Sequence, residues 1–583
     1  MKKRLSPRSR LTAVCLAGAM TLGLSAAQLT AGAAPAEDSS AGATAAATDN
    51  GLRITGPKKV DAYAYPGEKF AFIDSARYLA APQVGYEFVT KRDSYGATPV
   101  MTVTTVDGGE KGKTVTVPAR LVDGMNGIKN GLRVRIVNSK GKELFDKKRT
   151  LCPTGYDAQR VAPNGPSEAT YPTFCGGNWF TRSVVFGVDQ GWAANIEAYA
   201  DVAGVKIGHK LTMTTAITKP VARLLGIPDD ERTLTQKVTV RNAEEEWGDD
   251  DGFAGEPVEG FSAEGADVGQ LMQDVSPGTA AAGGIEDPGV VERTPNRYLA
   301  DEIKRADKAR ASKKPGTKGA SPRVANPGGD TLPDLVAEPA WSIGTERQGG
   351  KDRLTFNAHE WNAGPGPLVV EGFRRPNKAV MDAYQFFYED GKQVGHAKTG
   401  TMKYHAAPGH NHWHFLDFAQ YELVTPKGDL VTTSGKQSWC LVPTDPVDML
   451  VKNATWRPES IGLDSACGGK EATWLRESLP VGWGDTYVQY QTEAFDLTGV
   501  PNGTYKIRIT VNPDGNLHEV TDENNVSLRK VVIGGKPGAR TVKVPKIDGV
   551  DTETGDLMFA TETARTAGTA STSSHAHDHT HTH

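Results

Sequence analysis

Two long stretches of this chain alternate polar with apolar or β-branched residues at a period of two, and that periodicity constrains its fold more than any other feature. From Gly51 to Asn242 it runs through TPVMTVTTV, KTVTVPARLV, GLRVRIVNSKGKELF, WFTRSVVFGV and TLTQKVTVRN, and it returns from Leu332 to about Val532. Side chains alternate across a strand, so such segments predict strands with one buried face rather than amphipathic helices. Turn signals separate them: Ser139-Lys140-Gly141, Glu389-Asp390-Gly391, Pro426-Lys427-Gly428 and Pro513-Asp514-Gly515. The expected fold is all-β. One or two antiparallel β-sandwich domains are expected over 50–242, and a second β-rich domain over 331–535. A length of 583 residues requires more than one core, and 65 Gly with 35 Pro suit turns better than helical bundles.

The residues outside these blocks have other compositions. Lys2, Lys3, Arg4, Arg8 and Arg10 precede an apolar run from Leu11 to about Leu24, followed by Ala31-Gly32-Ala33-Ala34-Pro35-Ala36. That order predicts an export signal over 1–36 and a secreted, extracellular protein. Between 243 and 330 periodicity is lost: Glu244 to Asp267 holds ten acids and no base, while Arg293 to Arg323 holds ten Lys or Arg against three acids. This reads as a charged flexible linker, with a short helix allowed around Tyr298 to Ala311. The last segment, 536–583, turns to Thr, Ser and Ala and ends in HAHDHTHTH, a composition expected to be disordered.

Charge and cysteine content narrow the function. With 66 Lys+Arg against 70 Asp+Glu the chain has no general attraction to nucleic acid or anionic lipid, and no apolar segment near its end predicts integral membrane association. Cys15 should leave with the export signal. Cys152 with Cys175 and Cys440 with Cys467 are then local pairs that an oxidising compartment would close as disulfides.

The sharpest chemical feature is Pro408-Gly409-His410-Asn411-His412-Trp413-His414-Phe415. Three imidazoles at every second position share one face of a strand. At about 3.3 Å per residue the third starts roughly 13 Å from the first, so a bend is needed for all three to meet one ion. Neutral imidazoles suit copper, zinc, nickel or iron, and a thiolate-free site in an oxidising compartment leans toward Cu(II). The plain alternative is a solvent-facing histidine strand with Trp413 and Phe415 packed inward.

The wider text has a counterpart. HNHWHFLDFAQYEL, GKQSWCLVPTD, LPVGWGDTYVQYQ and NGTYKIRITVNP followed by EVTDENN, with LPDLV at Leu332 to Val336, resemble the lysyl oxidase family in order and approximate spacing. Where vertebrate members carry a cysteine upstream of the first histidine, this chain has Ala407, Pro408 and Gly409. The resemblance implies that His410, His412 and His414 bind copper. It implies that Lys436 of GKQSWC and Tyr487 of GDTY combine into the family's lysine tyrosylquinone cofactor. It implies oxidation of primary amines by O2, on protein lysine side chains or small amines, giving an aldehyde, ammonia and hydrogen peroxide. A quinone supplies the electrophilic carbonyl that ordinary side chains lack.

For the proton-abstracting base the resemblance nominates Asp417, with His405 and Tyr490 as alternatives. Strict strand alternation would turn Asp417 away from His414, so a bulge would be required. Some relatives also bind calcium through segments matching LPDLV and EVTDENN, which gives Asp334, Leu335 by its carbonyl, Glu519, Asn524 and Asn525 as candidate ligands, with Thr521 standing where an aspartate is expected. The tail histidines His575, His577, His579, His581 and His583 form a second strip suited to gathering copper. The expectation is a secreted copper- and quinone-dependent amine oxidase. The rivals are a non-catalytic extracellular copper-binding protein and a β-sandwich adhesion module.

Overall fold

A computed structural model describes residues 51–247 and 313–553 together with Glu292–Arg293, apart from Glu68, 74–75, 197–199, 319, 406–411, 417, 435–437, 459–461, 464 and 490–492. The expected export signal, the helix allowed around Tyr298 to Ala311 and the five tail histidines lie outside the described residues.

The alternating segments form strands, as their periodicity predicts. In Lys210–Ile217 the buried positions are Leu211, Met213, Thr215 and Ile217, and in Gly503–Val511 they are Tyr505, Ile507, Ile509 and Val511. Three sheets make up the N-terminal half and three the C-terminal half. One ladder departs from the antiparallel expectation: Thr233–Asn242 runs parallel to Lys59–Ala64. Alternation reports which face is buried but carries no information about strand direction.

Eight strands frame the region of interest: β1 (Ser183–Val188), β2 (Lys351–Asn362), β3 (Lys392–His405), β4 (His412–Leu416), β5 (Ser438–Trp439), β6 (Asp445–Pro446), β7 (Trp474–Leu479) and β8 (Trp483–Gln489). One C-terminal sheet orders Leu335–Ala337, β2, β8 and β6. A second orders β5, β4, β3, Val380–Glu389, Leu368–Arg374 and β7. The third extends beyond the expected boundary near 535, because Ala539–Lys543 pairs with Val526–Lys536. The alternating ARTVK of that strand is short, and the Thr- and Ala-rich text after it hid it. Likewise, the end of the expected linker lies against the C-terminal half: Val324 N–H donates to the His396 carbonyl at 3.0 Å, and His396 N–H to that of Pro322 at 3.0 Å.

Both expected disulfides, Cys152–Cys175 and Cys440–Cys467, are formed. The second flanks β4 on both sides. Phe415 and Leu416 pair with Trp439 and Ser438, next to Cys440, while the Trp413 N–H donates to the Cys467 carbonyl at 2.9 Å.

The two halves are in direct contact. Met449 and Trp483 of the C-terminal half belong to the N-terminal hydrophobic core, whereas Tyr487, four residues after Trp483 on β8, packs against the C-terminal core. Strand β8 therefore starts in one core and ends in the other.

Candidate active site

Strand β4 carries the histidine motif. Trp413 and Phe415 are fully buried, and Phe415 lies opposite Met402 of β3, so one face of β4 is committed to the core. His412 and His414 occupy the other face, as alternation requires, with ring centroids 4.7 Å apart. His414 is buried, and its Nδ1 lies 3.1 Å from the Ser438 hydroxyl on β5. A hydroxyl at this distance orients the imidazole ring, as outer partners of ligating histidines do. His410 lies outside the described residues. Among the described residues no group of three His, Cys, Asp or Glu is arranged to hold a metal ion. Two adjacent imidazoles, one of them oriented by a hydroxyl, nonetheless fit an imidazole-binding metal such as copper.

His405 stands opposite His412 across the β3–β4 ladder, and its ring centroid is 5.3 Å from that of His414. It therefore sits with the histidine pair. Asp417 and Tyr490, the other candidate bases, lie outside the described residues.

Tyr487 reaches the same region from β8. Its ring meets that of Trp439 edge-on at 5.9 Å, and its hydroxyl donates to the Cys440 carbonyl. The residue as a whole is half-buried. Burial first, and then the negative charges of Asp485 and Glu477, hold its phenol well above the usual tyrosine value. Lys436 lies outside the described residues. It is two residues before Ser438, which contacts His414, and four before Cys440, which accepts from Tyr487. Four residues of extended chain span at most about 14 Å.

A group of buried acids surrounds this junction, and sequence reading missed it. The Leu441 N–H donates to Glu477 at 3.1 Å and the Val442 N–H to Asp485 at 3.0 Å, so two carboxylates pin the chain just past Cys440. Glu360 lies directly opposite Asp485 in the β2–β8 ladder. Burial, with Asp485's charge adding to it, pushes Glu360 up to about 8, and burial lifts Glu477 well above the carboxylate range. A signal was present: Leu475, Glu477 and Leu479 share one phase of β7, so an acid occupies a core position of an otherwise apolar face.

His359 is fully buried on the neighbouring phase of β2, with its Nε2 3.8 Å from Asp445, and burial pushes its pKa down to about 3. Its ring rests on Gly484, where any Cβ would fall 2.2 Å from Nε2, so only glycine fits there.

The second set of candidate ligands also converges. Asn524 Nδ2 donates to Asp334 at 3.0 Å, Asn525 Nδ2 to Glu519 at 2.8 Å, and the Leu335 N–H to Glu519 at 3.1 Å. Both asparagine Oδ1 atoms are buried without a hydrogen-bond partner among the described residues. Burial raises Glu519, with Asp334's charge adding to it. Acid and amide oxygens gathered from two segments, two of them unsatisfied, fit a hard cation such as calcium.

Comparison with known sequences adds one finding. Residues 388–537, about a quarter of the chain, match the family model described as Lysyl oxidase, a range that includes the histidine motif, Lys436, Tyr487 and Glu519 to Asn525. Comparison with curated proteins returned no match.

Proposed function

We propose, on the premise that residues 388–537 are a lysyl oxidase family domain, that this chain is an extracellular amine oxidase dependent on copper and on a quinone built from Lys436 and Tyr487. Its substrates would be lysine side chains of proteins or small primary amines. The balanced reaction is oxidation of R–CH2–NH2 by O2 with addition of water, giving the aldehyde, ammonia and hydrogen peroxide.

One observation carries the reading. The short run following Lys436 touches both partners the chemistry needs: Ser438 meets the ring of His414, and the Cys440 carbonyl accepts from the Tyr487 hydroxyl. His410, His412 and His414 would hold copper, which would supply the one-electron redox chemistry that oxidising the phenol needs. The residues' own tasks follow from their surroundings. Tyr487 stays protonated at neutral pH, so its oxidation requires a nearby base for that proton, and Asp485 is the group in place. Trp439 covers one side of the ring and excludes water there. Glu477 and Asp485 hold the backbone at residues 441 and 442, just past the carbonyl that accepts from the phenol. Asp417 remains the nominated base for the substrate's α-proton.

Calcium is the second ligand assignment, through Asp334, the Leu335 carbonyl, Glu519, Asn524 and Asn525, and the unsatisfied asparagine oxygens favour it. The two disulfides agree with an oxidising, extracellular setting.

The test is peroxide release from copper-loaded protein given a primary amine, together with mass spectrometry for a covalent peptide joining Lys436 and Tyr487. Both signals are expected, and both should vanish in Tyr487→Phe. Copper binding without either signal would favour a metal-binding protein without catalysis. Neither binding nor turnover would leave the adhesion module.

A further inference from the structure

We infer that the N-terminal β region is a permanent structural partner of the C-terminal half, so that cutting the chain between them, anywhere in 248–312, leaves the two pieces assembled. The inference concerns association alone and stands whether or not the amine oxidase reading does.

The junction starts with a strand edge. β1 is the outer strand of its four-stranded sheet, and its residues are all buried. A segment of the other half pairs with the start of its free edge. Ser183 and Asp448 form a parallel bridge, the Arg182 N–H donates to the Val447 carbonyl at 2.6 Å, and the Ser183 N–H to the same carbonyl at 3.2 Å. The Thr181 hydroxyl adds a bond to the Pro446 carbonyl at 2.7 Å. This is strand addition in cis: main-chain groups that would otherwise offer a pairing edge to any passing chain are satisfied by residues 446–448.

Side chains reinforce the pairing on both flanks. Tyr171 stacks on Trp456 at 5.9 Å, and Phe174 meets Trp483 edge-on at 5.3 Å. Arg457, itself buried, donates to the Ala169 carbonyl at 3.0 Å. On the far side, the Tyr95 hydroxyl lies 3.1 Å from both oxygens of buried Glu338. Tyr171, Trp483 and Arg457 are buried, and buried aromatics and Arg at the centre of a contact are the usual carriers of association energy. Separation would expose Trp483 and Met449 as well as the β1 edge, and neither piece has a replacement for them.

The same contacts reach the site. β6 pairs with β8 through Asp445 and Gly484, and the chain passes from β6 directly into the 446–449 edge segment. The N-terminal half thus supports the strand that presents Tyr487.

The experiment uses the full chain with a site-specific protease sequence inserted between Gly283 and Gly284. After cleavage, size-exclusion chromatography with light scattering in non-denaturing buffer should give one species containing both fragments. Two separately eluting folded fragments would overturn the inference. Trp456→Ala in the cleaved protein should weaken fragment association about tenfold or more; an unchanged dissociation constant would also overturn it. The intact protein should unfold in a single transition, whereas two independent transitions would sink the idea without any reference to cleavage.

Discussion

The hydroxyl of Tyr487 donates its hydrogen bond to the carbonyl of Cys440, the residue that closes the disulfide with Cys467. A side chain of one sheet is thereby tied to the covalent clasp around a strand of another. Tyr487→Phe removes this bond and the oxidisable oxygen together while leaving the ring in place. The fold should survive with a loss of about 1 kcal/mol. Amine-dependent peroxide release should drop to background, with copper binding retained. Thermal melts and a peroxide assay on one preparation check both halves of this expectation.

Ser438 offers a finer test of the histidine site. Its hydroxyl is 3.1 Å from His414 Nδ1 and touches nothing the proposed chemistry consumes. Ser438→Ala should weaken copper affinity about 10- to 100-fold, the usual effect of removing a group that orients a ligand. Competition against a chelator of known affinity measures it, and an unchanged affinity would remove Ser438 from the site.

Glu338 predicts a pH dependence of stability. Burial raises its carboxyl from 4.5 to about 8, so the folded chain holds a proton that the unfolded chain releases. The sign follows from linkage: the stabilisation is complete below about pH 4.5 and is lost as pH rises through 8. Glu338→Gln should therefore be more stable than the parent at pH 9, by on the order of a few kcal/mol, and nearly equal to it at pH 4. Denaturant melts at the two pH values decide the matter. His359, lowered to about 3, acts oppositely: its contribution is present above about pH 6.5 and lost as pH falls.

The calcium assignment predicts a ligand-dependent melting temperature. A chelator should lower it and added calcium restore it; the underlying stability changes by RT ln(1 + [L]/Kd), about 2.7 kcal/mol at a hundredfold excess over Kd. Glu519→Gln should abolish the response while keeping one acceptor oxygen for Asn525, at the cost of the bond from the Leu335 N–H. A calcium response that persists in Glu519→Gln would rule out this site.

Much of this architecture was legible in the text because it rests on local pattern. The period-two alternation foretold strands, local cysteine spacing foretold both disulfides, and every-second-residue histidines foretold that His412 and His414 share a face. What stayed hidden was relational. Glu360 and Asp485 are far apart in sequence, and only the register of β2 against β8 makes them opposite. His405 enters the sequence reading only as an alternative base, and the β3–β4 ladder is what sets it across from His412. The parallel pairing of Thr233–Asn242 with Lys59–Ala64, like the dependence of β1 on residues 446–449, is a property of topology that no single segment records.

The passage of β8 from one core into the other moves the seam of the molecule. By sequence, a graft or truncation would be cut in the charged stretch after residue 247. By packing, the cut falls along the aromatic pairs Tyr171–Trp456 and Phe174–Trp483. Anyone transplanting the Tyr487 strand onto another scaffold would have to bring those four rings and the rim of β1 with it, because the portable unit is larger than the segment that carries the chemistry.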